Sequence, residues 1–214
     1  MIHLYITSCE NLEDPKENTK VREGLPAFRV DKMLRYRTKK KRIQSLGASI
    51  LLQKVLEIYG RTWDEIFYGE NGKPQIEGFY FNLSHSEDMV ICAVSDTGNI
   101  GCDIEKIKEA PLKVADRHFC KTECMHLYNL PEEQRDEEFY RIWTLKESYM
   151  KMTGDGIKLG LDKFYFTFDE IVKAHQNGTS CECYIKEYMI PGYKIAVCAE
   201  DKDIKNRIEY MKIS

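Results

Sequence analysis

Apolar residues recur every three or four positions through Ile43, Leu46, Ile50, Leu51, Val55 and Ile58. That spacing predicts one long amphipathic helix, which Gly60 is placed to end. Elsewhere the pattern shifts to short apolar runs and alternation. Residues 2 to 7, 79 to 83, 89 to 95 and the stretch around Asp103 read as strands. Asn71-Gly-Lys-Pro and Asp96-Thr-Gly-Asn supply turns. These are the marks of an antiparallel meander.

The second half follows a similar plan. Residues 112 to 128 and 136 to 152 read as helices, and 164 to 168, 181 to 188, 193 to 199 and 207 to 213 as strands. The tetrapeptides Val90-Ile-Cys-Ala and Ala196-Val-Cys-Ala stand half a chain length apart in similar hairpin strands. The expected fold is therefore α+β, a pseudodimer of two similar lobes covering 1–105 and 106–214. Each lobe would have an antiparallel sheet with packed helices, and the cleft between lobes is the natural site.

With 214 residues, 43% hydrophobic and 31% charged, the composition is that of a soluble globular protein. No run approaches the ~20 apolar residues of a membrane span, and no basic leader opens the chain. Eight cysteines in a chain of this size are expected as reduced thiols in the cytoplasm. His118, Cys120, Cys124 and His126 crowd a segment that reads as helix; its two cysteines share a face that the histidines do not join, so zinc is disfavoured. From Lys32 to Arg42 there are seven basic residues and no acid. Such a run serves as a solvated helix entrance or as a phosphate site. Nucleic acid is disfavoured, because no basic stripe continues beyond it and the pI is near 6.0.

Asp103 and Glu105 would share one face of an extended strand, with backbones roughly 6.6 Å apart. Brought within ~4 Å, their charges repel by roughly 4 kcal/mol at an effective dielectric of about 20. Either they face water at a strand end, or a cation such as magnesium or calcium relieves them. Ser84-His85-Ser86 lacks a nucleophile elbow and suits hydrogen-bond donation to phosphate. On the helix from 138 to 152, Phe139, Ile142, Trp143 and Met150 form a buried stripe, with Tyr140, Thr144, Glu147 and Lys151 on the adjoining face. Glu147 and Lys151 alone would be a surface pair worth ~0.2–0.5 kcal/mol. Flanked by Trp143, Gly154 and Gly156, they are better explained by work.

Gly72-Lys-Pro, Phe81-Asn-Leu-Ser-His-Ser, Ile100-Gly-Cys-Asp-Ile-Glu-Lys and Phe139-Tyr-Arg-Ile-Trp-Thr-Leu-Lys-Glu-Ser-Tyr-Met-Lys, in that order, resemble the Sfp-type 4'-phosphopantetheinyl transferases. Arg117-His-Phe-Cys-Lys-Thr-Glu and Pro191-Gly-Tyr-Lys-Ile-Ala-Val-Cys-Ala extend the likeness. The resemblance implies Mg2+-dependent transfer of phosphopantetheine from coenzyme A to a carrier-protein serine, releasing 3',5'-ADP. It implies Asp103, Glu147 and Glu105 as metal ligands, with Mn2+ an alternative ion. Glu147 would also be the base, and Lys151 would steady the departing nucleotide. Lys146, Ser84 and His85 would meet phosphates, and Gly72, Lys73 and Pro74 would line the adenine. Lys32, Arg37 and Arg42 would hold the 3'-phosphate. Gln44 and Asp155 depart from the family pattern. The segment from Lys113 to Lys121, with Arg117, resembles the docking region for an acidic carrier. A monomer without membrane contact is expected. A coenzyme A-type pyrophosphate hydrolase and a non-catalytic carrier- or coenzyme A-binding module are the alternatives.

Overall fold

A computed structural model describes residues 1–69 and 71–213. In chain order come β1 (His3–Ser8), α1 (Ala27–Leu34), α2 (Lys39–Ile58), β2 (Phe67–Tyr68), β3 (Pro74–Gln75), β4 (Tyr80–Ser86), β5 (Met89–Ser95) and β6 (Ile100–Lys106). Then follow α3 (Leu112–His118), α4 (Lys121–Asn129), α5 (Glu132–Thr153), β7 (Phe164–Phe168), β8 (Val172–Gln176), β9 (Thr179–Ser180), β10 (Tyr184–Ile190), β11 (Tyr193–Ala199) and β12 (Glu209–Tyr210).

The expected helix is α2, but it starts inside the basic run. The Thr38 side chain caps it by accepting from the Lys41 amide. The preceding α1 has no long apolar periodicity to announce it. The segment read as one helix from 112 divides into α3 and α4. Its break is local chemistry: Phe119 and Cys120 are extended, and the Glu123 carboxylate accepts the Cys120 amide at 2.9 Å. The strand expected over 207 to 213 is only the two residues of β12, parallel to β1.

Two sheets carry the fold, ordered β12-β1-β5-β4 and β10-β11-β6, with antiparallel pairing except at β12. Both alternate in the side chains they turn to each face. Leu4, Ile6, Ile91 and Ala93 of one sheet pack on Ile104, Ile195 and Val197 of the other. Tyr5, Val90 and Cys92 point the opposite way, onto Leu51 and Val55 of α2. Ala196 and Cys198 likewise turn to Leu145 and Tyr149 of α5. Two sheets therefore lie between two long helices. Strand pairing runs across the boundary expected at 105/106, since β6 pairs with β11 along its length and β12 returns to β1.

Candidate active site

The site begins with a missing side chain. Gly101 lies where β6 passes α5, and a Cβ there would stand 2.0 Å from the Ser148 carbonyl oxygen and 2.4 Å from the Met152 amide. Only glycine permits that approach. Period two then turns Asp103 and Glu105 to the same face as Gly101, toward α5. Glu147 and Lys151, one turn apart on α5, belong to the same region.

Lys151 Nζ lies 2.6 Å from Asp103 Oδ1, 3.1 Å from Ser84 Oγ and 3.2 Å from the Cys102 carbonyl. Ser84 donates its own proton to Asp103 Oδ1 at 2.7 Å. Ser86 donates to Glu105 Oε2, also at 2.7 Å. Asn82 accepts the Cys102 amide at 2.9 Å. Three alternate residues of β4 thus stitch the edge of one sheet to the edge of the other. Glu147 makes no ion pair or hydrogen bond with the described residues. Among the described residues, buried Asp103 Oδ2 finds no partner.

The charges respond to this crowding. Burial opposes the Lys151 charge, but Asp103, with Cys102 and Glu147 adding, raises its pKa. Burial and the Asp103 charge push Glu105 up to about 7, and the same two causes raise Glu147. A buried carboxylate oxygen without a donor, near two acids that it destabilises, fits the all-oxygen chemistry of a hard divalent cation. Among the described residues no closed cage of three acidic, histidine or cysteine groups is preformed. Lys151 supplies the compensating charge.

Beside these groups a cavity of about 420 Å³ is lined by Arg29, Lys32, Lys41, Gln44, Pro74 and His85, among others. Its walls desolvate the His85 ring, which is open to solvent on one side, and together with Lys151 they lower its pKa.

A family model described as the 4'-phosphopantetheinyl transferase superfamily matches residues 99–198. The 4'-phosphopantetheinyl transferase psf-1 of Bacillus pumilus is 34% identical over 174 residues, covering 78% of this chain and 74% of its own. The chain belongs to this family. The 4'-phosphopantetheinyl transferase Sfp of Bacillus subtilis (strain 168) is 40% identical over 150 residues, 66% of this chain. That alignment spans 64% of the length of Sfp.

The structure of this phosphopantetheinyl transferase family member brings together Asp103, Glu105, Glu147, Lys151 and Ser84, and places Lys32, Pro74 and His85 in one cavity. Two assignments are corrected. Arg42 is buried: it donates Nε to Asp14 Oδ1 at 2.8 Å, forms a second contact to Oδ2, and donates to the carbonyls of Tyr36 and Arg37. Four of its five N–H groups are spent on the fold, so it is no phosphate ligand here. Lys146 has no exposed surface; its ammonium pairs with buried Glu123 at 2.7 Å and donates to the Leu161 and Phe164 carbonyls. It belongs to the core on the far side of α5 from Lys151. Ser84 Oγ lies between Asp103 Oδ1 and Lys151 Nζ, at the edge of the site.

Arg37 is exposed. Gly72 holds a left-handed turn at φ +73°, which glycine adopts without strain. Lys73 Nζ donates to the Lys151 carbonyl at 2.6 Å and to that of Ile100 at 3.3 Å, tying its turn to α5 and β6. Cys120 donates to the Asp162 and Phe164 carbonyls, and His126 pairs with Glu138 at 2.8 Å, so neither points to a zinc site. Sequence reasoning missed Arg29 and Lys41 in the cavity, and the roles of Asn82 and Ser86. The alternation of Asn82, Ser84 and Ser86 was a usable signal: three polar residues on one face of a strand need partners.

Proposed function

We propose that this chain transfers the 4'-phosphopantetheine of coenzyme A to a serine of an apo acyl- or peptidyl-carrier protein, releasing 3',5'-ADP. The observation that carries the reading is the Asp103–Lys151–Ser84 contact with Glu105 and Glu147 beside it, next to a cavity lined with cations. Family membership supports the same chemistry. The two sheet-and-helix halves are read as pseudodimer lobes, with residues 1–105 bringing the nucleotide contacts and first acids, and 106–214 the catalytic helix.

In this reading Lys32, Lys41 and His85 hold the nucleotide's phosphates, and Pro74 flanks the adenine. Asp103, Glu105 and Glu147 would hold Mg2+, or Mn2+ in its place, which would offset charge on the pyrophosphate as its P–O bond breaks. The carrier serine oxygen attacks the phosphorus that bears the pantetheine arm. Glu147, made more basic by burial and by Asp103, takes the serine proton directly or through one water. The electron pair of the broken bond leaves on the phosphate oxygen of 3',5'-ADP, which Lys151 steadies. The surface from Lys113 to Lys121 receives the acidic carrier. The enzyme acts in the cytoplasm as a monomer.

The test is a panel of apo-carriers incubated with coenzyme A and Mg2+, read by intact-protein mass. Gain of one phosphopantetheine is the expected result. Coenzyme A consumed with every carrier unmodified would favour the hydrolase instead. Neither change would leave the non-catalytic module.

A further inference from the structure

Away from this site, three thiols gather at the start of β10. Cys181, Cys183 and Cys198 pack in one cluster with Tyr149 of α5. The Tyr149 hydroxyl donates to Cys181 Sγ at 3.2 Å. Cys183 donates its amide to the Cys181 carbonyl at 3.0 Å, folding the Cys-Glu-Cys segment back on itself. In the β10–β11 ladder Ile185 stands opposite Cys198. Cys183, two residues earlier, is the diagonal neighbour on the same face, and both thiols pack in the one cluster.

The three differ in access. Cys198 is fully buried, whereas Cys181 and Cys183 are half-buried and line an open surface groove with Glu182, Tyr184 and Glu200. The neighbouring Cys198 thiol lowers the pKa of Cys183, and that contact, with burial, raises the pKa of Cys198. A half-buried thiol on a groove beside a fully buried thiol of the same cluster is the layout of an attacking and a resolving cysteine. Disulfides need Cα atoms within about 6.8 Å, slightly less than a typical diagonal spacing. Cys183 lies one residue before the regular strand, so the ladder does not fix its spacing from Cys198.

We propose that Cys183 and Cys198 are a reversible oxidation site for hydroperoxides, closing a disulfide across the start of the β10–β11 ladder. The Cys183 thiolate attacks the peroxide, breaking O–O; one oxygen stays as the sulfenic acid and the other leaves as water after taking a proton. The Cys198 sulfur then displaces the sulfenic hydroxyl, which departs as water with the Cys198 proton. Two thiols and one hydrogen peroxide yield one disulfide and two waters. A dithiol reductant reverses it.

The test treats the native full chain with hydrogen peroxide, blocks remaining thiols with an alkylating agent, and maps peptides without reduction. A Cys183–Cys198 linkage is expected in the wild type and in Cys181→Ser, lost in Cys183→Ser and in Cys198→Ser, and removed by dithiothreitol. Cys92 and Cys102, buried in the sheets, should be recovered as free thiols and serve as internal controls. Circular dichroism confirms that each variant is folded. A linkage of Cys183 to Cys181 in place of Cys198, or Cys183 oxidised to sulfinic acid with Cys198 still reduced, would overturn the proposal. The result does not depend on any transferase activity.

Discussion

Lys151 and Asp103 stand 48 positions apart in sequence and 2.6 Å apart in the structure. Asp103 is nearly enclosed while Lys151 keeps 27% of its side chain accessible. One partner is thus committed to the fold and the other can still meet a ligand.

Replacing Lys151 by Met should strand the Asp103 charge. Breaking a fully buried pair costs about 3–5 kcal/mol, and the partial exposure of Lys151 reduces this to roughly 2–3 kcal/mol. Adding Asp103→Asn should return most of the stability but none of the transferase activity. Urea denaturation of the single and double variants, run beside carrier modification, checks both parts.

Glu147→Gln keeps shape and removes the proposed base. Its kcat should fall about 10²–10⁴-fold, the range for general acid–base groups, with the melting temperature nearly unchanged. Steady-state kinetics on an apo-carrier that the wild type modifies decide this; a loss under tenfold would remove Glu147 from the proton transfer.

Gly101→Ala should be among the most damaging single changes in the chain. The added methyl would meet the backbone of α5 at 2.0 Å, and backbone cannot yield as a side-chain tip does. A loss of at least about 3 kcal/mol is expected, at the upper end for overpacking. Chemical denaturation measures it.

The pH dependence follows from Glu105. Its pKa in the folded chain is about 7, above the ordinary carboxylate value near 4.5. Between those values the folded state holds more protons than the unfolded one, so stability falls as pH rises from about 4.5 to 7. Glu105→Gln should flatten this slope. Mg2+ should raise the melting temperature at pH 8, chelator should reverse the rise, and Asp103→Asn should abolish it. Calorimetry across pH, with and without metal, tests the set.

Arg42 and Lys32 should separate cleanly. Arg42→Met leaves buried Asp14 unpaired and should destabilise the fold. Arg42 holds the Asp14 pKa down at about 2, so this contribution is present above the ordinary value of 3.8 and is lost as pH falls toward 2. Lys32→Ala should leave stability within about 0.5 kcal/mol but raise KM for coenzyme A several-fold, the worth of one charge-assisted hydrogen bond. Melting curves and KM values compare the two.

Much of the fold was legible because its signals are local. Period two put Asp103 and Glu105 on one face, and helical spacing placed Glu147 one turn from Lys151. The division of α3 from α4 was harder to read, since a cap formed by Glu123 competes with a continuous apolar pattern. The shortness of β12 also escaped: how much of 207–213 pairs depends on how far β1 extends beside it.

By itself, the sequence determined which residues can share a strand or helix face, and the order of motifs that marks the family. The tertiary structure alone decided where each cation spends its charge. Lys146 and Lys151 sit five residues apart on one helix, yet one is sealed against Glu123 and the other reaches Asp103. Arg42 belongs to a basic run but answers Asp14, while Lys32 and Lys41 of the same run line the cavity. A charged side chain takes the partner that costs least to desolvate with it, and that partner is supplied by chain that folds in from elsewhere.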